Sequence, residues 1–224
     1  WFALEPGGAA AAPKPRDAAV TQPMADFFSR QGAVWILLLV VLYKLGDAFA
    51  GNLTTAFLLK GPGFSATEVG AINKGFGLLA TIIGALAGGA LMARLGLYRA
   101  LLLFGLLQAI TNLGFMLLAA SGKNYALVVA VIGAENLCGG MGTAAYVALL
   151  MALCDRRFSA TQYALLSALS AVGRVYVGPA AGYMVSALGW PAFFFATFVI
   201  ALPGIFMLYA MRGTLHALDA QAPR

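Results

Sequence analysis

Two carboxylates interrupt long apolar stretches of this chain, each with the same neighbours. Asp47, Gly51 and Thr55 are echoed by Glu135, Gly139 and Thr143, both sets at i, i+4, i+8, a spacing that stacks three side chains on one helix face. A carboxylate at mid-bilayer depth costs about 3 kcal/mol on insertion scales and persists where it faces a cavity or a partner. Burial favours the neutral acid and a nearby cation favours the carboxylate, so a group held between the two can load and release a proton. Lys44, one turn from Asp47, is placed to pair with it, and Arg174 is the natural partner of Glu135. Asp47 and Glu135 are thus the proton-coupling candidates, although a static network holding helices in register would use the same groups. Lys74, beside Asn73, can receive a ligand carboxylate or snorkel outward. Asn52, Asn112, Asn136 and Gln108 offer hydrogen bonds to ligand hydroxyls or from helix to helix.

Other chemistries find little material. His216 is the only histidine, so neither a His-rich metal site nor Ser-His machinery can be assembled inside the membrane. Cys138 and Cys154 lie on one predicted helix, too far apart for a disulfide, and suit apolar packing. With no phosphate-binding loop, no catalytic residues, metal or cofactor are expected, and energy would come from a proton gradient.

The elements that must position these groups follow from composition. The chain has 224 residues, 62% hydrophobic and only 10% charged, far from the balance of a soluble domain. Apolar runs long enough to span a bilayer occur at about 34–59, 67–92, 99–120, 125–153, 160–188 and 191–211. They are continuous rather than alternating, which selects helices over a barrel. Six spans put both termini on one side. That side collects nine cations, Lys14, Arg16, Arg30, Arg94, Arg99, Arg156, Arg157, Arg212 and Arg224, against Lys60 and Lys123 opposite. The bias makes both ends cytoplasmic and ties the net charge of +6 to membrane orientation rather than nucleic acid.

Residues 1–30, rich in Pro, Gly and Ala, read as a cytoplasmic linker, with a short amphipathic helix over Met24–Trp35 as the alternative. Residues 31–212 form the bundle and 213–224 a cytoplasmic tail. The opening Trp1-Phe2-Ala3-Leu4 resembles the end of a preceding span, so a fragment is expected. Leu95-Gly96-Leu97 recurs as Leu188-Gly189-Trp190 and Asp47 as Glu135, at offsets of 93 and 88. Three spans therefore repeat inverted, the construction of one half of a major facilitator transporter. Gly84 with Gly88, and Gly178 with Gly182, have the small-xxx-small spacing of close helix contacts, and Pro179 is expected to kink its span. The turn bearing Gly89, Arg94, Gly96 and Arg99 resembles the facilitator gating loop, with Ala93 where that signature has an aspartate.

Several runs together resemble the C-terminal half of AmpG-type muropeptide permeases: Tyr43-Lys-Leu-Gly-Asp-Ala-Phe-Ala-Gly51, Glu68-Val-Gly-Ala-Ile-Asn-Lys-Gly75, Glu135-Asn-Leu-Cys-Gly-Gly-Met-Gly-Thr143, Phe158-Ser-Ala-Thr-Gln162, Gly173-Arg174 and Gly178-Pro179-Ala-Ala-Gly182. The resemblance implies an all-α facilitator half in the bacterial inner membrane. It also implies proton-coupled import of anhydromuropeptides (GlcNAc-anhydroMurNAc peptides) for cell-wall recycling, with the first six helices missing from this chain. Another sugar or peptide cargo, a non-transporting membrane subunit, or an intramembrane enzyme using the two carboxylates are the alternatives.

Overall fold

The computed structural model describes residues 16–30 and 32–221, and every regular element among them is a helix. A first helix, α1 (Arg16–Ser29), precedes the bundle. The first span consists of α2 (Ala33–Tyr43) and α3 (Leu45–Lys60), separated at Lys44, whose φ of −97° and ψ of 0° leave the helical basin. The second combines α4 (Ala66–Val69), a π-helical segment (Gly70–Phe76) and α5 (Gly77–Leu95). Then follow α6 (Leu97–Ser121), α7 (Tyr125–Ala152), α8 (Ser159–Leu188), α9 (Trp190–Ala210) and a terminal α10 (Arg212–Gln221). The bundle thus holds six spans, each long and apolar enough to cross a membrane. The helix of α8 continues through Pro179.

The two halves of the chain repeat each other. Ala33 and Tyr125, Ala66 and Ser159, and Leu97 and Trp190 open corresponding spans at separations of 92, 93 and 93 positions. The two Leu-Gly turns share one backbone geometry, Gly96 at φ 78°, ψ 165° and Gly189 at φ 75°, ψ 169°, a left-handed φ that glycine alone adopts freely. Packing follows the same operator: α5 lies on α7 as α3 lies on α8, α6 lies on α7 as α9 lies on α2 and α3, and α6 meets α9 across the axis. Against this offset the duplicated acid motif is out of step. Its 88-residue separation is one helical turn short, so Asp47 corresponds to Gly139, and Glu135 to Tyr43. The two carboxylates are therefore not equivalent positions of the repeat.

Glycines set the closest approach. Gly84 and Gly88 of α5 rest on Leu137 and Met141 of α7, where a Cβ on Gly88 would stand 2.6 Å from the Met141 Cα. Gly178 and Gly182 behave differently: a Cβ at Gly178 would meet only the Asn52 side chain at 3.9 Å, and one at Gly182 would meet nothing within 4 Å. Spacing alone does not reveal which helix face has a neighbour. Two apolar clusters fill the bundle, one around Tyr43, Phe104 and Tyr146, the other around Phe57, Phe115 and Phe194, onto which Trp190 packs. At the end nearer Phe57, Ser65 and Glu68 form a capping box on α4, and Glu68 also pairs with Lys123 at 3.1 Å and with the Tyr125 hydroxyl.

At the opposite end α1 makes part of the segment read as a linker helical. Residues 1–15 lie outside the described residues, but Arg16–Ser29 is helical and ends before Trp35, because Gly32 at φ 85° turns the chain into α2. Phe27 is buried, and Arg30 ties three segments together: it donates to Asp26 Oδ2 (2.7 Å), to the Leu153 carbonyl (2.6 Å) and to Gln162 Oε1 (3.4 Å). Gln162 in turn donates to the Pro23 carbonyl and to Asp26, each at 3.1 Å. The Arg30 guanidinium, assisted by Gln162, holds the Asp26 carboxyl below the usual carboxylate range, and Arg157 does the same for Asp155. A carboxyl whose pKa is lowered by docking stabilises the docked form above its free value of 3.8 and loses that contribution as the pH falls through the docked value. Because Arg30 is Asp26's own i,i+4 neighbour, only the share owed to Gln162 depends on docking, so we expect α1 to be held against α8 somewhat less tightly below the free value of 3.8 than at neutral pH. A fluorophore on α1 and a quencher at the start of α8 read this directly, and emission flat through acidification would show that the ion pairs do not hold α1. The tail is also structured: Leu215 is buried and His216 packs its ring 4.7 Å from that of Tyr98.

Candidate functional site

A cavity of about 500 Å³ opens between α3, α7 and α8. Its charged lining residues are Lys44, Asp47, Glu135 and Arg174. All four lie near the middle of spans 28 to 30 residues long, hence near mid-depth at about 1.5 Å per residue. The break at Lys44 creates this geometry. It begins α3 inside the membrane and puts Asp47 in that helix's first turn, the end at which the helix dipole favours an anion. Gly46 allows it, since a Cβ there would come within 2.6 Å of the Ala201 Cβ on α9.

Lys44 Nζ pairs with Asp47 Oδ2 at 3.1 Å and lies 3.4 Å from Thr143 Oγ1. It also lies 5.9 Å from the centre of the Tyr146 ring, a cation–π placement worth about 0.5–2 kcal/mol. Tyr146 is itself fixed, stacked on Tyr43 with ring centres 5.7 Å apart and donating from its hydroxyl to the Val40 carbonyl at 2.8 Å. Glu135 is half-buried on the same wall and within the electrostatic reach of Asp47 and Lys44. Among the described residues no ion pair or hydrogen bond joins it to Arg174. The two share the cavity, but the partner expected for Glu135 is not in contact with it, because Arg174 sits across the opening on α8 and is exposed. Two carboxylates and two cations thus face one space with a single ion pair formed among them.

The hydrogen-bonding residues divide. Asn52 lines the cavity and donates to the Ala48 carbonyl (2.7 Å) and the Arg174 carbonyl (3.2 Å), joining α3 to α8. Asn136, though next to Glu135, faces α5, donates to the Ile132 carbonyl (2.9 Å) and accepts from Thr81 Oγ1 (3.0 Å). Gln108 is buried with its amide in the notch left by Gly142. Asn73 donates to Thr55 Oγ1 at 3.5 Å, whereas Lys74 is exposed on the π-helical segment; neither lines the cavity. In the loop resembling the gate, Arg94 and Arg99 are exposed around the Gly96 turn, and Gly89 has open space where a side chain would be.

Sequence reasoning passed over a polar stripe on α8. Tyr163, Ser167, Ser170 and Arg174 all line the cavity, at spacings of 4, 3 and 4 that follow one helix face. The signal was present in the periodicity, but three of the four are uncharged and common in helices. Tyr146 gave no such signal, since its place depends on Tyr43 of another span.

The geometry can be set beside known proteins. The chain is 58% identical over 215 residues to the "Anhydromuropeptide permease" of Escherichia coli (strain K12), which covers 96% of this chain and 44% of that protein. It is 38% identical over 190 residues to "Putative transporter AmpG 4" of Rickettsia felis, 85% of this chain and 46% of that one. The chain therefore spans somewhat less than half the length of these relatives, which are named as a permease and a transporter rather than as enzymes. A sequence model of the Major Facilitator Superfamily matches residues 4–223. A match of that extent, on a bundle of two inverted three-helix units, places the chain in the Major Facilitator Superfamily.

Proposed function

We propose that this chain is the C-terminal half of a proton-coupled importer of anhydromuropeptides in the bacterial inner membrane, with both its ends in the cytoplasm. The observation that carries the reading is the mid-depth cavity holding Lys44, Asp47, Glu135 and Arg174, on a chain 58% identical to an anhydromuropeptide permease. A second six-helix half supplies the other wall. Arg174 and Lys44 are the cations available to ligand carboxylates, as charge-assisted hydrogen bonds. Asn52, Thr143 and Ser170 offer groups suited to sugar hydroxyls.

Protons enter through charge balance. With both carboxylates ionised the four charged groups sum to zero, and an anionic ligand adds negative charge. Carrying each such charge inward against an inside-negative potential costs about 2.3 kcal/mol per 100 mV. A proton taken up with the ligand removes that penalty. Glu135 is its carrier in this scheme, because Asp47 is already engaged by Lys44. The gradient is the energy source and no cofactor takes part. The test is uptake of labelled anhydromuropeptide by vesicles containing the complete transporter: accumulation under an inward proton gradient, collapsing with an uncoupler, is expected. Accumulation of another sugar or peptide but not of this ligand overturns the cargo, and no proton-dependent accumulation of any overturns coupling.

A further inference from the structure

Behind Asp47, on the side away from the main cavity, lies a second and much smaller chamber of about 10 Å³, room for one water molecule. It is bounded by Tyr43 and Asp47 of the first span, Gln108 and Asn112 of α6, and Ala201 and Ile205 of α9. Asp47 lines both spaces and so forms the partition between them. The two amides are almost completely buried, Gln108 at 7% exposure and Asn112 at 2%. Gln108 Nε2 has no hydrogen-bond partner, and Asn112 stands one turn further along α6 on the same chamber wall. Buried amides are nearly always satisfied, by protein or by an ordered water, and an orphaned one costs about 1–3 kcal/mol.

We propose that this chamber binds a single water molecule joining the Asn112 and Gln108 amides to the Asp47 carboxylate, and that Asn112 is thereby a positioning residue for the Lys44–Asp47 pair. The chemistry selects water over a small cation. An unpaired N–H needs an occupant that accepts, the carboxylate needs one that donates, and water does both, whereas a sodium ion has nothing to accept with. The Tyr43 hydroxyl is already committed to the Leu101 carbonyl at 2.9 Å, so the two amides remain for the water. Gripped by Lys44 in front and the water behind, the Asp47 carboxylate is held in place in the cavity wall, whereas Glu135 has no such hold among the described residues.

The experiment uses the complete transporter and does not depend on what it carries. In a cryo-electron microscopy map that shows ordered waters, one peak is expected about 2.7–3.2 Å from Asn112 and from Asp47, absent in Asn112→Leu. The Lys44 amine reports the pair itself. Acylation by a water-soluble reagent should be about tenfold faster in Asn112→Leu, the loss expected for about one hydrogen bond, and within about twofold of wild type in Asn112→Ser, whose hydroxyl can hold the water. A dry chamber in a map with waters elsewhere, or a peak whose occupancy requires sodium, overturns the water site. Unchanged Lys44 labelling in Asn112→Leu overturns the positioning role. Should Asn112→Leu fail to fold, Gln108→Leu takes its place with the same expected outcomes.

Discussion

Glu135→Gln in the complete transporter is expected to abolish gradient-driven accumulation of ligand while exchange of labelled for unlabelled ligand across the membrane continues. The substitution keeps the size and hydrogen-bonding capacity of the side chain and removes only its ability to gain and lose a proton. In charge it imitates the proton-loaded cavity, so the ligand should still bind at Arg174 and Lys44. The release step is what fails, and without it a proton gradient cannot do work on the ligand. Asp47 is not interchangeable with Glu135. It is held by Lys44 at 3.1 Å, and removing one partner of this part-buried pair leaves the other charge uncompensated, at less than the ~3–5 kcal/mol of a fully buried pair. Loss of Asp47 should therefore show first as lost stability, whereas loss of Glu135 shows as lost coupling at unchanged expression. Parallel measurement of accumulation and exchange separates the two. Wild-type accumulation in Glu135→Gln would remove Glu135 from the proton path, and loss of exchange as well would make it a ligand-binding residue.

Much of this arrangement was legible along the chain, for reasons that also mark the limit. The spans and their inversion follow from hydropathy and from the Leu95-Gly96 and Leu188-Gly189 turns, because helix length and left-handed turns are local properties. Lys44 with Asp47 was equally readable, being one turn apart on the same span. The pairing of Glu135 with Arg174 was not, since the two sit on α7 and α8 and only the relative rotation of those helices decides whether they touch. Asn136 shows the same limit in reverse: it adjoins Glu135 in sequence but lies about 100° around the helix, and so it bonds to Thr81 instead of lining the cavity. The repeat was also read partly from the wrong evidence. The acid–glycine–threonine sets are one turn out of register with the fold, so their likeness does not come from position in the repeat, and only Asp47, Gly51, Glu135 and Thr143 of the six line the cavity.

Gly140→Val is expected to have one of the largest effects on assembly of any single substitution in the bundle, leaving no monodisperse, folded transporter after extraction. Gly140 lies where α7 crosses α5, and a side chain there would run into backbone atoms: the Thr81 carbonyl oxygen, the Ala85 nitrogen at 2.8 Å and the Gly84 carbonyl carbon at 3.1 Å. Side chains can change rotamer to admit a neighbour, but backbone inside a helix cannot without moving the helix. Overpacking of ordinary side-chain cores costs about 1–3 kcal/mol, and here no flexible group is available to absorb it. The opposing surface is equally bare, since Gly84 in turn rests on the Leu137 backbone, so relaxation on one side closes the gap on the other. Displacing α7 would also break the bond from Thr81 to Asn136 and carry Glu135 and Thr143 away from Lys44. Gly89→Val and Gly182→Val are the controls, because both positions face open space in this chain. Size-exclusion profiles and melting temperatures of the three variants check the claim. A Gly140→Val protein that behaves like the controls would mean that α5 and α7 do not meet at this distance, and the position of Glu135 in the cavity would fall with it.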